Sequence, residues 1–478
     1  MSHSQKPSEP VGQLFPTFTS QENSRYKNSK RTKCTSFAIE LGTRASPTYL
    51  PPHWSTHVQP EGKPYFYHRG ELAIVTESWL YTPEIATEAA KWVDHLTVKI
   101  KEKGVDLANT ELYIRIDEDL DCLYYGVDKR DRTLFWIDDY ETEQLGLPPV
   151  ASPSHLRTLL ELHYWEHVDR FPAHFGGLPE ATLLKLQDIF THCRMDHITS
   201  SSAAFTYSQM DTLALSKVLK DCRGRTQEPE IVSTVARIWH LVLYNRFHNH
   251  YGEENPRLDV SMAIFEDQSP ESPGFQRVFS YLSFGKSQKY RTKLNSLYVD
   301  KYIYSHRVDA FVNGLLKEWK EQYLPSFFML LLHAAFFQLI ASQTVAAISA
   351  ACFSASLLSA FALVQQHEGL IEYRNSPVAI DWLSDRASTT YKFQRLSLAL
   401  ALPNAFFNWG LVFFFGHWLF IALSRLDTNV AATFVGIIGL AIFAFIIVTS
   451  PNTIPTISFP RLPRSCRSKC SPEDESMV

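Results

Sequence analysis

Three stretches of this chain contain no Asp, Glu, Lys or Arg: 322–367, 396–424 and 428–460. The first alone is 46 residues long. A helix at the surface of a water-soluble domain needs a polar face toward solvent. A bilayer reverses that need and takes about 20 mostly apolar residues per crossing. The sequence therefore predicts an integral membrane protein with a large water-facing N-terminal part. The expected fold class is mainly α, with a small antiparallel β segment, a cytosolic helical domain and a four-helix transmembrane region.

The 46-residue run is too long for one crossing and divides at its most polar point, 341–344. Spans are expected at 324–341, 345–364, 397–423 and 429–449, with a polar loop at 366–395. Pro403 falls inside the third and should kink it or mark its first turn. Lys and Arg in short loops set orientation. Lys317 and Lys320 precede the first run, Arg374, Arg386, Lys392 and Arg395 occupy or border the loop, and Arg461, Arg464, Arg467 and Lys469 follow the last. Only Arg425 stands on the opposite side. The N-terminus, the loop and the C-terminus are expected to be cytosolic. Trp319, Tyr323 and Trp382 are placed as interfacial anchors. Asn404 and Asn408, one turn apart, are expected to bond a neighbouring helix.

Residues 1–45 are rich in Ser, Thr, Lys and Gln and read as a disordered tail, with a basic cluster from Arg25 to Lys33. Residues 451–478 read as a second one. Seven cysteines are scattered without pattern, which argues against a disulfide framework. The net charge of −4 names no partner, and no basic-aromatic patch suggests nucleic acid.

The segment 46–150 is expected to be α+β. Residues 50–68 form two strand-like stretches around a Glu61-Gly62 turn, with Pro51, Pro52 and Trp54 ahead of the first and Tyr65, Phe66 and Tyr67 in the second. Tyr124–Asp128 and Thr133–Trp136 form another such pair. Between them, Thr82-Pro83-Glu84 opens a helix with an apolar stripe of Ile85, Ala89, Trp92, Val93, Leu96 and Ile100, closed by Gly104. The two strand pairs resemble the front and back halves of a WW domain. The chain as a whole is similar to a group of fungal multi-pass membrane proteins that carry such a segment. That resemblance implies Trp54 as a structural buckle, and Tyr65, Phe66 and Trp136 as a groove for proline-rich protein segments. The competing reading buries these aromatics against the inserted helix.

Residues 151–321 read as a helical domain, with helices at 154–170, 179–197, 207–221, 230–251 and 288–322. In the first, His163-Tyr164-Trp165-Glu166-His167 matches the His-x-x-Glu-His pattern of the inverzincin metalloproteases. That resemblance implies zinc on His163 and His167 and a general base at Glu166. A catalytic zinc needs a third protein ligand, and none stands at a clear spacing. No cofactor is expected otherwise. The leading functional expectation is a membrane-anchored adaptor or scaffold, with the lipid bilayer and proline-rich segments as partners. A metal-dependent membrane hydrolase, or a small transporter or channel, are the alternatives.

Overall fold

The computed structural model describes residues 9–22, 36, 49–200, 202–265, 273–300, 302–336, 343–369, 377–388, 392–425 and 427–449. The chain divides into two compact units. One comprises 1–320 and 362–402, the other 321–361 and 403–478.

The first unit is organised by a mixed seven-stranded sheet. Its strands are β1 (Leu14–Pro16), β2 (Trp54–Val58), β3 (Pro64–Arg69), β4 (Ala73–Thr76), β5 (Thr110–Ile116), β6 (Cys122–Asp128) and β7 (Thr133–Phe135). The order is β1-β6-β5-β4-β3-β2, with β7 also on β6. The two expected hairpins exist, β2 with β3 and β6 with β7. Gly62, at φ +94°, turns the first of them in a conformation that favours glycine. But β4 and β5 lie between the hairpins, joined to each other in parallel. A small WW-like module is therefore not formed. The physical reason is the crossover helix α2 (Pro83–Glu102), which returns the chain to lay β5 beside β4.

Of the expected stripe α2 buries Ala89, Trp92, Val93, Leu96 and Ile100, while Ile85 is half-buried and its neighbour Ala86 is buried. Pro83 occupies its first turn and Gly104, at φ +71°, follows its end. The opposite side of the sheet is covered by α3 (Pro153–Arg170), with α4 (Glu180–Thr199), α5 (Gln209–Asp221) and α6 (Pro229–His248) behind it. Trp165 of α3 stacks on Trp239 of α6 at 5.6 Å. Strand alternation sorts the two sides. Phe66, Ile74, Leu112, Ile114 and Tyr124 face α2, while Tyr65, Val75, Tyr113, Tyr125 and Val127 face α3.

The N-terminal segment departs from the expected tail. β1 runs parallel to β6, and α1 (Thr19–Glu22) buries Thr19 and Glu22. The basic cluster and Cys34 lie outside the described residues. The expected 288–322 helix is interrupted. α7 (Pro273–Leu282) and α8 (Lys286–Leu297) lead into a short hairpin, β8 (Tyr298–Val299) and β9 (Tyr302–Ile303), and then α9 (Ser305–Glu321). Asp300, at φ +54°, turns that hairpin.

Beyond α9 come α10 (Tyr323–Phe336), α11 (Gln343–Glu368), α12 (Pro377–Arg386), α13 (Gln394–Arg425) and α14 (Thr428–Thr449). Among the described residues two helices, not four, are long and apolar enough to cross a membrane: Gln343–Glu368 and Gln394–Ile421. α10 has only 14 described residues, a rise of about 21 Å against the roughly 30 Å of a hydrocarbon core. The side chains of α14 are described only in part. Within the second unit, serines join the helices. Ser356 donates to the Pro403 carbonyl at 2.8 Å and Ser349 to that of Gly410 at 2.8 Å. A Cβ at Gly410 would meet the Phe353 ring at 2.8 Å, so this crossing needs glycine. The proposed anchors Trp319 and Trp382 are buried in the first unit, and Trp319 donates to the Leu400 carbonyl.

Candidate functional site

The last nine residues of α3, from Leu162 to Arg170, are all buried, although five of them are polar or charged. Ser152 caps the helix by accepting from the His155 amide. The buried charge is met by four elements: the α3-facing side of the sheet, α1, the turn after α3, and α6, whose Ser233 and Arg237 hold Asp169.

Glu111 of β5 is the centre of one group. Its carboxylate accepts from His167 Nε2 at 2.8 Å, from His174 Nε2 at 3.0 Å and from Lys129 at 2.7 Å. Burial would raise its pKa, but His174, His167 and Lys129 hold it well below the usual carboxylate range. Because Nε2 of His167 donates to the carboxylate, its Nδ1 accepts from the Tyr125 hydroxyl at 3.0 Å. His174 mirrors this arrangement, with Nδ1 3.2 Å from the Tyr65 hydroxyl. The result is a chain Tyr125–His167–Glu111–His174–Tyr65. Burial lowers the His167 pKa against the pull of Glu111, so the ring stays neutral.

Glu166 is the centre of a second group. It accepts from the hydroxyls of Thr19 at 2.8 Å and Ser20 at 2.7 Å, with His163 Nδ1 at 3.4 Å. Burial opposes its ionisation, yet His163, His240 and Ser20 hold its pKa at about 2. One turn on, Arg170 pairs with Glu77 at 3.0 Å and donates to the carbonyls of Thr19 and Glu22. Glu22 in turn pairs with Arg115. α1 is thus pinned to α3 by both its side chains and its carbonyls.

This geometry does not make a zinc site. Both nitrogens of His167 are engaged, and Nδ1 of His163 lies 2.9 Å from the Thr19 hydroxyl. Nε2 of His163 is buried without a hydrogen-bond partner. Among the described residues no three His, Cys, Asp or Glu side chains are grouped to hold a metal ion. The spacing does put His163 and Glu166 in one place, but His167 belongs to the other group.

The expected peptide groove is likewise absent as a surface. Tyr65 and Phe66 are both 0% exposed and point to opposite sides of the sheet. Trp136 is half-buried and donates to the Thr17 carbonyl. Trp54 packs at the edge of the α2-side core, its ring 5.0 Å from His68. Sequence reading missed Glu111, His174, Arg170, Glu77 and the α1 residues. Glu111 had one local signal, a carboxylate on the same strand face as Tyr113 in a strand buried almost throughout.

No family model, curated protein or solved structure matches this chain.

Proposed function

We propose that this chain is a membrane-anchored, non-catalytic interaction protein whose α/β domain is a rigid platform on the cytosolic side. The observation that carries this reading is the closure of the His/Glu cluster. The side chains of Glu111, His167 and His174 are at most 1% exposed, and both histidines are bonded to Glu111. A general base must reach a substrate proton. Here the groups with the right chemistry are spent on holding β5, α3 and α1 together.

A protein partner is supported by the α4–α5 surface. Thr212 and His197 lie 3.4 Å apart and join the end of α4 to the start of α5. Around that junction Met195, Ile198, Met210 and Leu213 are 60%, 69%, 70% and 50% exposed. Methionine-rich exposed apolar surface suits a helical or loop partner. The proline-rich partner loses its basis with the burial of Tyr65 and Phe66.

Integral, multi-pass anchoring rests on the two long apolar helices. A cytosolic N-terminus rests on Lys317 and Lys320 and on Arg374, Arg386, Lys392 and Arg395 of the 362–402 segment, which belongs to the same unit as the N-terminal domain. The C-terminus, with Arg461, Arg464, Arg467 and Lys469, goes to the same side. The test uses full-length protein in its native membrane, with a photo-crosslinker at Met210 or, as control, at Lys217. A discrete protein adduct from 210, lost with Ile198→Glu, supports the reading. Adducts from neither position, or equal ones from both, refute it. Protease protection of the N-terminus in sealed vesicles would overturn the orientation.

A further inference from the structure

In the first unit, apart from the His/Glu cluster, an open cavity of about 430 Å3 lies among α4, α8 and α9. That volume is in the range of small-molecule sites. Its polar lining is His197 and Ser200 from the end of α4, Lys293 and Ser296 from α8, and His306 and Arg307 from the first turn of α9. Among the described residues no Asp or Glu lines it. The wall is completed by apolar side chains that include Phe311.

Four cationic or protonatable groups around one cavity, with no carboxylate among the described lining residues, suit an anion. Asp259 shares the field of Arg307, but it is hydrogen-bonded to Ser202 and Ser261 and does not line the cavity. The His306 ring sits 3.0 Å, through Nδ1, from the Thr206 carbonyl, which fixes its orientation. Burial lowers the His306 pKa against that carbonyl's pull; Arg307 and His197 lower it further, and Asp211 opposes them. The fixed positive charge of the lining comes from Lys293 and Arg307. Arg and Lys are the side chains that hold phosphate, Arg by a planar fork and Lys as a point charge. Ser200 and Ser296 add hydroxyl donors, and Phe311 offers a surface for an attached organic group.

We infer that this cavity binds a phosphate-bearing ligand, through Lys293 and Arg307 on facing helices, as either a soluble phosphomonoester or a lipid headgroup. The inference does not depend on the proposed interaction role. Only the lipid source requires the protein to sit in a bilayer.

The test uses the full-length protein. In detergent, inorganic pyrophosphate is titrated at constant ionic strength, with melting temperature and 31P line width as readouts. In nanodiscs, phosphatidylcholine alone is compared with phosphatidylcholine containing phosphatidic acid. Saturable stabilisation by pyrophosphate favours a soluble ligand. Stabilisation by phosphatidic acid alone favours a headgroup. In either case Lys293→Gln with Arg307→Gln should weaken binding at least about tenfold, the loss of one charge-assisted contact. Ala310→Glu, at an exposed lining position, should do the same by repulsion while removing no native contact. Lys217→Gln on α5 should have no effect. No saturable response to either probe would overturn the inference. So would equal binding by wild type, the double variant and Ala310→Glu.

Discussion

The two sides of the sheet are built from alternate residues of the same strands, yet they are held in different ways. The side against α2 is dry, with Phe66, Ile74, Leu112 and Ile114 meeting Trp92, Leu96 and Ile100. The side against α3 carries Glu111, Tyr113, Arg115 and Tyr125, and it meets His167 and Arg170 of α3 and Glu22 of α1. Apolar packing is non-directional and tolerates repacking. A buried hydrogen-bonded network fixes geometry, but it fails if one member is removed. The first side supplies stability to the strand order. The second fixes where α3 and α1 sit.

The comparison is broken most severely at Glu111. Glu111→Ala leaves His167, His174 and Lys129 facing a buried gap and should cost about 3–5 kcal/mol. Thermal melting of the full-length protein should show a large loss in the first unit's transition. An unchanged transition would mean that the cluster is not structural. On the dry side, Leu96→Ala should cost about 2–5 kcal/mol through transfer and cavity terms alone. Its melt should shift without any change in how stability depends on pH. If that pH dependence does change, the two sides are not separable.

Tyr125→Phe is a finer probe. It removes the donor to His167 Nδ1 and should cost about 1–3 kcal/mol as an unsatisfied acceptor. The smallest effect belongs to its stacked neighbour. The Tyr113 hydroxyl is buried without a hydrogen-bond partner, so Tyr113→Phe should be neutral or stabilise by up to about 1 kcal/mol. Equal costs for the two tyrosines would remove the distinction between a bonded and an unbonded hydroxyl on one face.

The dry side was the more legible in sequence. The α2 stripe is a local 3.6-residue pattern, and each hairpin is a local turn between two aromatic strands. The helices α3 to α6 are found within a few residues of their expected ends for the same reason. What joins these pieces is not local. β4 pairs with β5 across a whole helix, and that pairing separates the two halves that resembled one small module. Glu111 finds His167 and His174 at separations of 56 and 63 residues, and Thr19 finds Glu166 at 147. No spacing rule connects such residues. The tail-like composition of residues 1–45 concealed Leu14–Glu22, where the short run Leu-Phe-Pro-Thr-Phe was the only hint of a buried segment. In the apolar third, composition showed the absence of charge but not which helices are long enough to cross a membrane.

The central claim is that the two buried polar groups of α3, one centred on Glu111 and one on Glu166, form a closed structural lock. Its most direct test is the acid limb of stability for wild type and Glu166→Gln. The Glu166 pKa falls from an ordinary 4.5 to about 2 in the folded chain. A depressed folded pKa contributes stability that is full above the unfolded value and is lost as pH falls through the folded one. The wild-type melting temperature should therefore drop between about pH 4.5 and 2. Neutral Gln cannot titrate, so Glu166→Gln should start lower at neutral pH and approach wild type at the acid end. Curves that stay parallel over this range would contradict the account, because Glu166 would then be exposed to solvent rather than locked between α1 and α3.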